Sequence, residues 1–192
     1  MLEEIEIEIA RSIELKQQVL ADKELLGLIQ KLAIDCIDCL KSGGKIVFCG
    51  NGGSFADSQH LAAELVSRLR FNRSALPAIA LGTNSSNLTA IGNDYGYDKI
   101  FSREIEAIAD KKDLLIAIST SGNSGNVLEA VRTAQQLNLT VWGWTGREGG
   151  LLTENCLCIK VPSGQTDKVQ EVHIMIGHIL CHLIEKSIFK PN

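Results

Sequence analysis

Leu114-Leu115-Ile116-Ala117-Ile118-Ser119-Thr120-Ser121-Gly122-Asn123-Ser124 decides the architecture of this chain. Five consecutive apolar residues without alternation suit a strand buried on both faces, and such strands belong to parallel sheets covered by helices. The run stops in a polar turn containing a glycine, and apolar residues then recur at helical spacing over about 124–138. Strand, turn and helix in that order form the repeating unit of doubly wound α/β folds.

The same unit recurs on either side. Lys45-Ile46-Val47-Phe48-Cys49 runs into Gly50-Asn51-Gly52-Gly53-Ser54 and then a helical pattern at about 54–70. Further apolar runs lie at 78–81, 140–144 and 157–161, with helical patterns at 85–93, 98–109 and 167–187. The order predicts a five-stranded, doubly wound parallel sheet flanked by helices. Ahead of it, residues 2–42 carry helical spacing that breaks near Asp22 and stops at Gly43-Gly44, which predicts two helices. The expected organisation is one domain over 1–192, with a helical extension at 1–43 and an α/β core at 44–192. The extension has apolar stripes to bury, so a homo-oligomer is expected.

With 192 residues, 45% hydrophobic and 22% charged, the composition is that of a soluble globular protein. A net charge of -4 gives no dominant basic surface, so neither nucleic acid nor a membrane is an expected partner. No apolar run reaches the length of a bilayer span. The start, Met1-Leu2-Glu3-Glu4-Ile5-Glu6, lacks the basic-then-apolar order of a signal peptide, and the cytoplasm is the expected compartment. Six cysteines sit inside apolar segments, as reduced core thiols do. Cys36 and Cys39 form a C-x-x-C, but in a helical pattern with Leu32, Ile37 and Leu40 and without a second pair, so they read as packing residues.

Ligands of doubly wound sheets bind beyond the carboxyl ends of the strands, where both glycine-containing turns fall. Glycine permits positive φ and close backbone approach, and the first amides of the next helix point outward as unpaired donors. Ser119, Thr120, Ser121 and Ser124 add four hydroxyls, enough to surround a phosphate without Lys or Arg. Helix capping would use one of them. Neither turn has the glycine spacing of a dinucleotide site or the Gly-Lys-Ser/Thr of a P-loop, so nucleotide cofactors are not expected.

Acid–base candidates lie on two helices. His60 and Glu64 are four apart and share a face. Gln170, Glu171, His173, His178 and His182 stand in an otherwise apolar C-terminal helix. Periodicity does not select His178 over its neighbours or bring it to Glu64.

The combination of Cys49–Ser54, His60-Leu61-Ala62-Ala63-Glu64-Leu65, Gly92-Asn93-Asp94-Tyr95-Gly96, Ser119–Ser124 and Gln170-Glu171-Val172-His173 with His178 resembles the phosphoheptose isomerases, which are single sugar-isomerase (SIS) domains. The resemblance runs essentially end to end. It implies interconversion of sedoheptulose 7-phosphate and D-glycero-D-manno-heptose 7-phosphate, which opens nucleotide-activated heptose synthesis for lipopolysaccharide or other surface glycans. Glu64 would be the base and His178 the acid. Asn51, Gly52, Gly53, Glu64, Asn93, Asp94, Ser119, Thr120, Ser121, Ser124 and Gln170 would contact substrate. One zinc per subunit would be held by His60, Glu64, Gln170 and His178, and a homotetramer would place sites between subunits. Asp167 matches a polar position near the site and is a second-rank candidate, while Asp57 is expected on the helix surface. A non-catalytic SIS protein that binds the replication initiator, and an isomerase for another sugar phosphate, are the competing readings. The presence of both Glu64 and His178 favours the enzyme.

Overall fold

The computed structural model describes residues 1–189. Two helices open the chain, α1 (Leu2–Ala21) and α2 (Lys23–Lys41). The break between them is Asp22, whose carboxylate accepts from the Leu25 amide at 2.9 Å and caps α2. Then follow β1 (Ile46–Gly50), α3 (Gly53–Val66), β2 (Ala78–Ala80), α4 (Ser85–Asp94), a single 3-10 turn at Tyr97–Lys99, and α5 (Ile100–Ile108). The chain continues through β3 (Leu114–Ile118), α6 (Gly125–Gln136), β4 (Thr140–Thr145), a short α7 (Leu152–Asn155), β5 (Leu157–Lys160) and α8 (Thr166–Ile188).

All five strands pair in parallel in the order β2-β1-β3-β4-β5. Successive side chains of a strand point to opposite faces, and here each face has its own core. Ile46, Phe48, Leu114, Ile116, Trp142 and Trp144 pack against α2, α3 and α8 on one side. Val47, Cys49, Leu115 and Ala117 pack against α5 and α6 on the other. Burial on both faces is why these strands read as unbroken apolar runs. The helices after β1 and β3, adjacent strands, cover opposite faces, so the sheet's switch point opens between their carboxyl ends.

Three expectations need correction. The helix expected over 54–70 ends at Val66, because the Leu69 and Arg70 amides donate instead to the carboxylate of Glu185 at 2.9 and 3.0 Å. The helix α7 was not foreseen, being only one turn long. Asp57 is half-buried, and its Oδ2 has no hydrogen-bond partner. Cys36 and Cys39 are free thiols buried on α2; burial pushes Cys36 up and Cys39 to about 11, as inert packing thiols require.

Candidate active site

The turn after β3 is closed and supported by backbone hydrogen bonds. The Gly122 amide donates to the Ser119 carbonyl at 2.9 Å, which closes the turn, and Gly122 has φ 68°, the left-handed region that favours glycine. A loop after β4 supports it from behind: the Leu152 amide donates to the Gly122 carbonyl at 2.9 Å and the Leu151 amide to Asn123 Oδ1 at 3.0 Å. Ser124 is the N-cap of α6 by position, yet its side chain makes no capping bond. Its Oγ lies 3.0 Å from Ser119 Oγ, which in turn is 3.5 Å from Ser121 Oγ. Capping therefore does not account for these hydroxyls. They cluster with the unpaired first amides of α6, an arrangement suited to an anion.

The turn after β1 lies beside it. Gly52 has φ 56°, and its carbonyl accepts the Phe55 and Ala56 amides at 3.1 Å as α3 begins. Gly53 admits close approach of α8: a Cβ there would lie 2.5 Å from the Gln170 carboxamide nitrogen. The two turns and the start of α8 enclose a cleft of about 290 Å³, lined by Asn51, Gly52, Gly53, Ser119, Thr120, Ser124 and Gln170.

From Gln170 the helices α3 and α8 run side by side. Gly177 lets Leu61 pack where a side chain would collide, and one residue further His178 meets His60. His60 Nε2 is 3.1 Å from Glu64 Oε1 and 3.0 Å from His178 Nε2, with the rings edge-on at 5.0 Å between centroids. A single imidazole nitrogen thus faces both a carboxylate oxygen and another imidazole nitrogen. A neutral ring nitrogen is either donor or acceptor, so it cannot satisfy both neighbours in every tautomer, and the three atoms converge on a point that favours positive charge. They all lie within 4.8 Å of one another and are the group of this kind found among the described residues. Two imidazoles and a carboxylate are the donor set of a zinc site with a position left open for substrate. His60 stands seven residues beyond Gly53, about 10 Å along the helix. The cluster is thus about that far along α3 from the glycine turn, which lines the same cleft as the Ser119–Ser124 turn.

The chain is similar throughout to known sugar-phosphate enzymes. The SIS-domain family pattern matches residues 10–146. The phosphoheptose isomerase of Burkholderia pseudomallei (strain 1710b) is 51% identical over 182 residues, covering 94% of this chain and 92% of that one. That of Aneurinibacillus thermoaerophilus is 49% identical over 187 residues, covering 97% and 94%. The solved phosphoheptose isomerase of Neisseria gonorrhoeae superposes with a TM-score of 0.89 at 40% identity, over 96% of this chain and 98% of that one. The chain belongs to the phosphoheptose isomerases of the SIS-domain family. It is therefore an aldose–ketose isomerase, and its relatives at about half identity span nearly its whole length.

As a phosphoheptose isomerase it brings some of the anticipated residues together and leaves others apart. His60, Glu64 and His178 meet; Gln170 lies two turns earlier on α8, against Gly53. Asn93 and Asp94 end α4, exposed and bonded to each other at 2.7 Å, and they do not line the cleft. Asp167 is exposed in the first turn of α8, 3.7 Å from the Lys168 ammonium. Asp57, one turn before His60, has its carboxyl pushed up to about 6 by burial, with the nearby His60 charge opposing. Sequence reasoning missed Thr166, which lines the cleft, and Asn126, whose carboxamide pairs with Asn51. A threonine at a helix start and an asparagine inside a helix give no local signal.

Proposed function

We propose that this protein converts sedoheptulose 7-phosphate to D-glycero-D-manno-heptose 7-phosphate through an enediol, in the cytoplasm, as the opening step toward nucleotide-activated heptose for lipopolysaccharide or another surface glycan. The observation that carries this reading is the pairing of a hydroxyl-rich turn with a glycine turn on one cleft, from which an imidazole–carboxylate cluster lies some two to three helical turns along α3. The Ser119–Ser124 turn holds the phosphate and fixes one end of the open chain, which makes proton transfer at the other end effectively intramolecular. Glu64 takes the proton from one carbon of the C1–C2 pair and returns it to the other. His178 moves protons on the two oxygens. Asn51, Gly52, Gly53, Thr120 and Gln170 are the remaining proposed substrate contacts, and Asn93 and Asp94, which do not line the cleft of a single chain, are proposed contacts of a site shared between subunits.

His60, Glu64 and His178 would hold a zinc ion, and the ion when bound would supply Lewis-acid polarisation of the substrate oxygens; Gln170, the fourth member of the proposed set, lies two turns from His178 within one chain and would join it in a site shared between subunits. Glu64 acts as base in this scheme to the extent that its carboxylate is free. The apolar residues that α1 leaves exposed, Leu2 at 72%, Ile5 at 52%, Ile9 at 57% and Ile13 at 52%, support burial against further copies of the chain, with a homotetramer and intersubunit sites as the proposed state.

The test is turnover of sedoheptulose 7-phosphate by the purified protein, before and after chelation and with zinc returned. Turnover with incorporation of solvent deuterium at the transferred position is the expected result. Absence of turnover with zinc restored would remove the substrate assignment, and turnover without deuterium wash-in would replace the enediol by a hydride shift.

A further inference from the structure

A polar network joins the two turns of the cleft through two residues that the mechanism leaves unused, Asn126 and Tyr97. Asn51 Nδ2 donates to Asn126 Oδ1 at 2.8 Å, and Asn126 Nδ2 donates back to Asn51 Oδ1 at 2.9 Å. Tyr97 Oη donates a third bond to Asn51 Oδ1 at 3.0 Å. Asn126 is 3% exposed, so its amide has no water to fall back on, whereas Tyr97 is 61% exposed. Both lone pairs of Asn51 Oδ1 are occupied, so this oxygen acts as a strut, and the substrate contact proposed for Asn51 falls to its backbone amide or its remaining Nδ2 hydrogen.

Beyond the Gly52 carbonyl, which accepts the Phe55 and Ala56 amides at 3.1 Å, no side chain of its own anchors the rest of the turn. Gly52 and Gly53 have no side chains, Gly52 sits at positive φ, and Gly53 is open to Gln170. The segment carrying Tyr97 is itself seated on α6. Asp98 Oδ1 abuts Gly125, where a Cβ would come within 2.8 Å, and Lys99 pairs with Glu129. Asn51, Tyr97 and the start of α6 thus form one unit, and the start of α6 also carries the Ser119–Ser124 turn.

We propose that Asn126 and Tyr97 are positioning residues that hold the Asn51–Gly53 turn at a fixed offset from the anion turn, and that this offset sets the chain length of sugar phosphate accepted. The inference rests on the sugar-phosphate isomerase reading. With the phosphate seated at Ser119–Ser124, the glycine turn, which lines the same cleft, is placed to meet the rest of the substrate chain. A turn free to shift would still accept the phosphate, but would lose its registration with the middle carbons and its preference for seven carbons over six.

The experiment compares Tyr97→Phe and Asn126→Ala with the unaltered protein. Loss of one hydrogen bond at an exposed residue is expected to raise KM for sedoheptulose 7-phosphate about threefold in Tyr97→Phe, and loss of the buried pair about tenfold or more in Asn126→Ala. In both, kcat stays within about twofold, because Glu64 and His178 are untouched. Selectivity against a six-carbon ketose phosphate falls by a similar factor, while calorimetric affinity for inorganic phosphate does not change. Amide exchange quickens at Asn51–Gly53 and not at Ser119–Ser124. Unchanged KM and exchange in Tyr97→Phe would overturn the proposal, as would parallel loss of inorganic phosphate affinity, which marks general loosening of α6. If Asn126→Ala does not fold, Tyr97→Phe decides alone. Failure of the isomerase reading is visible separately, as absence of turnover by the unaltered protein, and the exchange comparison still decides whether the network holds the turn.

Discussion

Glu64 on α3 and Glu185 on α8 occupy one pair of packed helices in opposite electrostatic conditions. Glu185 is fully buried and saturated: it accepts from the Leu69 and Arg70 amides at 2.9 and 3.0 Å and from Arg73 Nε at 3.0 Å. Burial alone would raise its carboxyl pKa, but these amides and the Arg73 charge outweigh burial and hold it below the ordinary value. Glu64 keeps 22% of its side chain exposed and has one partner, the His60 ring. A saturated carboxylate can neither take a proton nor bind a cation without breaking bonds. A carboxylate with open lone pairs beside two imidazoles can do both, so the glutamate that is less firmly held is the one available for chemistry.

The largest effect expected from this contrast is on rate. Glu64→Gln keeps the shape and removes the proposed base, and turnover should fall by about 10²- to 10⁴-fold. Stability should move by less than about 0.5 kcal/mol, because Arg73 binds the Glu64 backbone carbonyl at 2.9 Å and not its side chain. Calorimetry with sedoheptulose 7-phosphate should still show binding. A variant that turns over normally would break the contrast at its functional end.

Arg73→Ala tests the other end. It leaves the Glu185 charge buried beside two amides and removes the guanidinium bonds to the Leu65, Ser67 and Ser74 carbonyls. Removing one partner of a buried pair costs about 3–5 kcal/mol. Denaturant unfolding should show a loss of that size, and a loss below about 1 kcal/mol would mean that the 67–75 loop is held by something else.

How much of this was legible beforehand follows from the range of each interaction. β1, β3 and most of β4 were visible because they are buried on both faces, which local composition reports directly, and the less buried edge strands β2 and β5 as short apolar runs alternating with helical patterns. His60 and Glu64 were visible as an i,i+4 pair. His178 was not separable from His173 and His182, because all three share α8 and only packing against α3 singles one out. The early end of α3 depends on Glu185, 116 positions from Leu69, and the Asn51–Asn126 pair spans 75 positions. Such distances exceed any local periodicity. Asp57 was misread for the same reason, since the burial of a helix face is fixed by what packs on it.

The contrast between used and structural groups extends to the imidazoles of α8. His173 is fully buried, hydrogen-bonded through Nε2 to the Thr145 carbonyl at 3.3 Å, and burial lowers its pKa to about 4 despite that bond. The reference value is 6.5. As pH falls from about 6.5 to about 4, the unfolded chain takes up a proton that the folded one refuses, so stability drops, by something on the order of 3 kcal/mol, and this contribution levels off below pH 4. Equilibrium unfolding across that window should show the slope, and His173→Leu should flatten it. A slope unchanged in the variant would assign the titration to another group.

The smallest effect concerns Asp57, a third carboxylate that is neither saturated nor paired. Its pKa of about 6 against 3.8 means that folding favours the neutral acid. Stability therefore declines as pH rises from about 4 to 6, and the full cost is present at pH 7. Asn is a neutral isostere, so Asp57→Asn should raise stability at pH 7.5 by about 1 kcal/mol or less, since solvent still screens part of the group, and should do little at pH 4. The comparison is made in chelator, because a cation at His60, Glu64 and His178 would itself favour the ionised Asp57. Adding zinc should then shrink the advantage of Asn or reverse it. If Asp57→Asn is destabilising at pH 7.5 without metal, the carboxylate is a working partner of the cluster, and α3 carries two available acids where the geometry assigns one.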